Sequence, residues 1–344
     1  MKKTLYIISS VLVGIIITIA INKDEAAQVD KHNFVTLETN KRPKSSLLYH
    51  LNNNYVFDLS NRILSDNKKR VSDLDLMKYF VDQIDGEFRK AFNRRSVIQK
   101  DVHRIQTTSP LLYDQFNVDL DNLTCDLSKF KRPSDLSNYL FDRNLNGKSM
   151  KSWKKQCFNE FNSMYNKAKV ENRGSDIFTY IKNCKRYFGK KLPKVKIGKT
   201  IRENRYKENL FLVTDGYIEY GKYPQNKIAP YLSKNRIESF KDDFKKEGNN
   251  RSLQDFFKEE GYGITPIYDT LHSKINVLVI GFEDRSVDSF GLTRKGVEIK
   301  DREVLELFWN DWLTKSGFNK IKIAPTLSSI DELDELVMQV INDK

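Results

Sequence analysis

Apolar residues recur along this chain in two rhythms. Short continuous runs at Asn54 to Leu59, Asn209 to Thr214, Asn276 to Phe282 and Lys320 to Ala324 predict strands. The run Asn276-Val-Leu-Val-Ile-Gly-Phe282 is apolar at nearly every position, as a parallel strand covered on both faces should be. Spacings of three and four predict helices over Asp73 to Phe92, through Leu74, Met77, Phe80, Val81, Ile84 and Phe88, and over Trp153 to Val170. The same rhythm covers Ile237 to Phe257 and Asp301 to Ser316. A last helix carries Ile330, Leu333, Leu336, Val337, Val340 and Ile341 behind the capping box Ser329-Ile-Asp-Glu332. Ser175 or Asp176 is placed to cap a further helix through Ile181. Alternation over Ser96 to Thr107 predicts an exposed-edge strand, and Gln115 to Leu120 predicts another.

Strands that alternate with helices predict an α/β protein: a doubly wound, mostly parallel, Rossmann-like sheet with helices on both faces. The expected division is a hydrophobic N-terminal helix within 1–22, a polar linker at 23–47, and one domain at 48–344. Insertions are expected at about 121–151, rich in Asn, Asp, Ser and Lys, and at 217–274, too long for a single crossover. Lys2 and Lys3 precede an uncharged apolar run from Leu5 to Ile21, the pattern of a signal peptide or an N-terminal anchor. It predicts an extracytoplasmic protein, either tethered to the membrane by this segment or released by cleavage after Thr18-Ile-Ala20.

The formal net charge of +13 changes the picture only in its long-range consequence, attraction to anionic partners or membrane surfaces. The lysines are spread along the chain and no nucleic-acid motif is visible, so no specific nucleic-acid partner is expected. Cys125, Cys157 and Cys184 fit no metal-ligand spacing and read as buried free thiols. His32, His50, His103 and His272 stand apart from one another in sequence, and no chemistry is assigned to them.

The candidate chemistry lies where apolar strands end in oxygen-bearing side chains: Asp58 and Ser60 after Tyr55-Val-Phe57, and Thr214 and Asp215 after Leu210-Phe-Leu-Val213. Between them in sequence, Gly174-Ser175-Asp176 puts a hydroxyl before a helix. Strand C-termini of an open α/β sheet share one edge, where ligands collect, and small hydroxyls with a few carboxylates suit Mg²⁺. In order and setting these segments resemble the von Willebrand factor A domain, a doubly wound fold with a metal-ion-dependent adhesion site. Its Asp-x-Ser-x-Ser motif corresponds to Asp58-Leu-Ser60-Asn-Arg62, its loop threonine to Ser175, and its strand-end aspartate to Asp215.

The resemblance implies a protein-binding module in which Ser60 and Ser175 bind Mg²⁺ directly while Asp58 and Asp215 act through water. An acidic side chain of a partner protein would complete the ion. The chain departs from the pattern at Arg62, a fixed cation that cannot ligate metal, so Asp58 and Asp215 could equally serve as its partners. Two other readings remain open at this point: a metal-dependent phosphoesterase and a metal-free envelope scaffold. Asp284-Arg285 reads as a solvated turn, though it could line the same edge. Tyr217, Tyr220, Tyr223 and Tyr231 read either as a contact surface or as packing. Asp301 and Glu303 read as residues that offset a helix dipole.

Overall fold

The described residues form a mixed seven-stranded sheet with helices packed on both faces, and a separate two-stranded pair. The structure is a computed structural model. It describes residues 45–60, 62–64, 71–95, 99–109, 111–143, 148–171, 175–197, 200–219, 226–248, 250–287, 292, 295, 298–324 and 327–342. The expected N-terminal segment 1–22, most of the linker, and Asn61, Gly174, Tyr220, Tyr223 and Pro325 lie outside these residues. Among the described residues no helix is long and apolar enough to cross a membrane.

The strands are β1 (Ser45–Phe57), β2 (Val102–Thr107), β3 (Thr124–Asp126), β4 (Val195–Ile197), β5 (Thr200–Val213), β6 (Ile228–Ala229), β7 (Gly263–Ile264), β8 (Ile275–Ile280) and β9 (Lys320–Ala324). Seven form the main sheet in the order β3-β2-β1-β5-β8-β9, with β4 pairing β5 off this path, while β6 and β7 make a separate parallel pair. The main sheet is parallel except that β3 runs against β2 and β4 against β5. From β1 the chain builds outward first to β2 and β3, then returns to the other side for β5, β8 and β9. The order therefore reverses between β1 and β5.

Period-two alternation divides the core. Tyr55, Phe57, Phe211, Val213, Leu278 and Ile280 face the helices α1 (Asp73–Arg95), α4 (Met150–Glu171) and α9 (Ile330–Ile341). Val56, Leu210, Leu212, Val277 and Val279 face α5 (Ile177–Lys182), α6 (Lys234–Glu247), α7 (Leu253–Glu259) and α8 (Asp301–Lys315). The connections leaving β1 and β5 thus pass to opposite faces. Residues 45–344 make up one compact unit that contains both cores. Cys125, Cys157 and Cys184 are free and buried, as the sequence suggests.

Several elements differ from expectation for identifiable reasons. β2 is interior rather than an edge, because the three-residue β3 covers its outer side. Gln115 to Leu120 is not a strand: α2 (Leu111–Phe116) buries Leu112, Tyr113 and Phe116 on one helical face. Part of the 121–151 segment is ordered as β3 and α3 (Pro133–Leu140), with proline opening the helix. The helix expected over Ile237 to Phe257 is two helices, one ending at Gly248 and the next capped by Ser252. At α9 the Ser329 hydroxyl accepts from the Glu332 N–H at 3.2 Å, but the Glu332 carboxylate turns to the Ser328 N–H at 2.7 Å, so the box is only half formed.

β1 and β5 also start earlier than their apolar runs, at Ser45 and Thr200. Their polar halves are accommodated by pairing. Side-chain amides cross four chain segments in a row that is buried beyond its exposed first member, Asn319: Asn319 Nδ2 donates to Asn276 Oδ1 at 2.8 Å, and Asn276 Nδ2 to Asn209 Oδ1 at 3.0 Å. Asn209 Nδ2 then donates to Asn53 Oδ1 at 2.8 Å, and Asn53 Nδ2 to the Tyr55 hydroxyl at 3.0 Å. Each amide offers both a donor and an acceptor, so the row satisfies groups that would be costly to bury alone.

Candidate functional site

The reversal between β1 and β5 opens at the C-terminal edge of the sheet, and the residues picked from sequence meet there. The Asp58 N–H still bonds the Val213 carbonyl at 2.8 Å, which keeps the two strand ends together. One Asp58 oxygen accepts from the Ser60 N–H and the other from the Thr214 hydroxyl, both at 3.0 Å. Asp58 is 1% exposed, so these bonds replace water. After Thr214 the chain turns at Gly216, whose φ of +87° suits glycine. A Cβ there would stand 2.8 Å from the Phe282 ring. The turn is held by the Trp309 indole, which donates to the Gly216 carbonyl at 2.7 Å, and by the Tyr217 N–H, which donates to Asp215 at 3.0 Å.

Ser175 reaches the edge through β2. Its hydroxyl bonds that of Thr108, and the Thr108 N–H bonds the Phe57 carbonyl at 3.2 Å. Asp176, not Ser175, caps α5, accepting from the Thr179 N–H at 2.8 Å. Asp58, Ser60, Ser175 and Asp215 thus lie along one edge, on the ends of β1 and β5 and beside the end of β2.

Two arginines complete the arrangement. Arg62 is 1% exposed, and its Nη1 donates to the Asp73 carboxylate at 2.5 Å. The guanidinium reaches across to β8, since a Cβ on Gly281 would come within 3.2 Å of its Nη2. Burial works against its charge, but Asp73, Asp58 and Asp215 outweigh burial and raise its pKa. Arg285 donates to Asp215 at 3.0 Å and to Glu219 at 3.1 Å, with Glu283 at 3.6 Å. It lies 3.8 Å over the Tyr217 ring. Here too burial opposes the charge while Asp215, Glu219, Tyr217 and Glu283 prevail.

Opposing influences meet at Asp215. Burial and the neighbouring Asp58 push its carboxyl up, to about 7, against the pull of Arg285 and Arg62. The pair with Arg285 therefore sits close to the protonation midpoint of the acid at neutral pH.

Sequence reasoning missed Asp73 and Thr108 and gave Arg285 the wrong emphasis. The signal for Asp73 was present: a buried arginine demands a carboxylate, and Asp73 opens the next helix. Arg285 lies in a turn, and it lines the edge by pairing with Asp215. Tyr217 and Tyr231 are buried, so these two are packing residues. Asp301 does more than offset a dipole: it is buried, accepts from the Tyr217 hydroxyl at 2.8 Å and pairs with Lys241.

The donor set fits Mg²⁺ poorly as it stands. Both oxygens of Asp58 and both of Asp215 already accept bonds, and the Ser175 hydroxyl is engaged by Thr108. Two guanidinium groups stand among these carboxylates, where a divalent ion would meet fixed positive charge. Among the described residues no group of three or more His, Cys, Asp or Glu side chains is placed to hold a metal. Comparison of the chain with family models, curated proteins and solved structures gives no match.

Proposed function

We propose that the chain is an exported protein-binding module of the von Willebrand factor A type that engages its partner through the strand-end edge without a bridging metal. The observation that carries this reading is the convergence of Asp58, Ser60, Ser175 and Asp215 at the point where strand order reverses. That is where an open α/β sheet binds its ligand. Arg62 takes the role that the resemblance gives to the ion: a buried positive charge that holds the carboxylates of β1 and β5 together. Being buried, it cannot meet a partner. Arg285 is 24% exposed and is the cation that an acidic side chain of a partner protein can reach. The metal-dependent hydrolase reading loses ground, because its ion would have to displace this pairing and, among the described residues, no histidine stands at the edge.

The test is photo-crosslinking of the full chain in its own membranes, with the reactive side chain introduced at Ser60 or, as a control, at Lys151 on α4. A discrete adduct from Ser60 alone, insensitive to EDTA and lost in Arg285→Gln, is the expected result. Identical adducts from both positions, or an adduct abolished by EDTA, would contradict it.

A further inference from the structure

At the opposite end of the sheet, β1 and β5 run past their neighbours. β2 pairs β1 only from Asn52, and β8 pairs β5 only from Glu208, yet β1 and β5 stay paired back to Ser45 and Ile201. With β4 alongside, they form a three-stranded ribbon that overhangs the sheet by about 20 Å. One face of it carries Leu47 and Tyr49, which are 44% and 40% exposed. Opposite them in register lie Glu203 and Arg205. Lys194 pairs with Glu203 at 2.5 Å, Lys196 stands opposite Ile201, and Lys207 Nζ lies 5.6 Å from the Tyr49 ring centre. Among the described residues, four cations thus stand around two exposed apolar side chains and one carboxylate. The approach to the ribbon, Lys182 to Lys196, holds seven basic residues and no acid.

An ordinary solvated edge needs charge but has no use for an exposed leucine and tyrosine at its centre. Apolar and aromatic side chains ringed by lysine and arginine suit the headgroup boundary of an anionic bilayer. There the rings and stems bury while the charges meet phosphate. The covalent path of the chain agrees. Residues 1–44 join the ribbon at Ser45, preceded directly by Lys41-Arg42-Pro-Lys44, and the apolar run Leu5 to Ile21 lies further back. Between that run and Ser45 the chain spans at most about 80 Å, which keeps a membrane-anchored body within reach of the surface.

We infer that the ribbon formed by β4 and the N-terminal halves of β1 and β5 docks on anionic lipid headgroups, with Leu47 and Tyr49 entering the interface. The opposite, strand-end edge then faces away from the bilayer. This docking does not depend on the partner proposed above.

Residues 45–344 form one compact unit that contains both cores, and they can be tested alone. The measurement is co-sedimentation with vesicles of phosphatidylcholine, with and without phosphatidylglycerol, across a salt series. Binding only to the anionic vesicles, weakened by salt, is expected, since each basic residue at such a surface contributes roughly fivefold in affinity. Lys194→Gln/Lys196→Gln/Arg205→Gln and Leu47→Ser/Tyr49→Ser should each weaken binding by more than about tenfold while the urea midpoint stays put. Tyr49→Trp should shift its emission to the blue on anionic vesicles, against native tryptophans 153, 309 and 312 that are all buried. Equal binding to both vesicles, no effect of either variant set, or tighter binding to short duplex DNA would overturn the inference.

Discussion

Replacing Arg62 with methionine removes a charge from the centre of the edge while keeping most of the side chain's volume. Arg62 and Asp73 are both essentially excluded from solvent and stand 2.5 Å apart. Breaking such a pair from one side takes the guanidinium away from a buried carboxylate and costs about 3–5 kcal/mol. A domain of ordinary stability, about 5–15 kcal/mol, should remain folded at that loss but with a much lower urea midpoint. The reverse change, Asp73→Asn, should cost less, because Asp58 and Asp215 still face the guanidinium. In the double variant the pair is removed as a unit, so the two costs should fall short of additivity by about 1–3 kcal/mol. The assay is urea unfolding of residues 45–344 at neutral pH for the native chain, both single variants and the double. A loss below about 1 kcal/mol for Arg62→Met, or strict additivity, would refute the claim that this arginine is the electrostatic centre of the edge.

Two further outcomes follow from the same geometry. Asp215 has a folded-state pKa raised to about 7. Below about pH 4 the acid is protonated in both states. Between about 4 and 7 only the folded state keeps the proton, so stability should fall as pH rises through that window and level off above it. Asp215→Asn should flatten this slope in urea titrations at a series of pH values; an unchanged slope would assign the dependence elsewhere. In the amide row, Asn209→Ala strands the Asn53 carbonyl and takes an acceptor from Asn276, which should cost about 2 kcal/mol or more by urea unfolding. A cost within about 0.5 kcal/mol would mean that the row adds nothing to the sheet.

The layered α/β plan was legible because its strands and helices follow simple apolar periods, clearest at β8, α8 and α9. The polar halves of β1 and β5 were not. His50-Leu-Asn-Asn-Asn54 and Arg202-Glu-Asn-Arg-Tyr-Lys-Glu208 look like loop sequence, and only the cross-strand amides and the overhanging ribbon make strands of them. β2 was misread as an edge because three residues, Thr124 to Asp126, suffice to cover it. The site was legible as a set of strand-end oxygens, since each follows its own apolar run. Its cations were harder to read: the partner of Arg62 lies on the next helix, and Arg285 meets Asp215 across 70 positions of sequence.

The proposed edge has a fixed guanidinium in the place where the resemblance puts Mg²⁺. Calorimetric titration of Mg²⁺ into residues 45–344 tests it directly, beside an Arg62→Ser/Asp73→Asn/Arg285→Gln variant that removes both guanidiniums and places a serine where the resembled motif has one. No saturable heat is expected from the native chain, and one-site binding from the variant. Saturable binding by the native chain, lost in Asp58→Ala/Asp215→Ala, would contradict it.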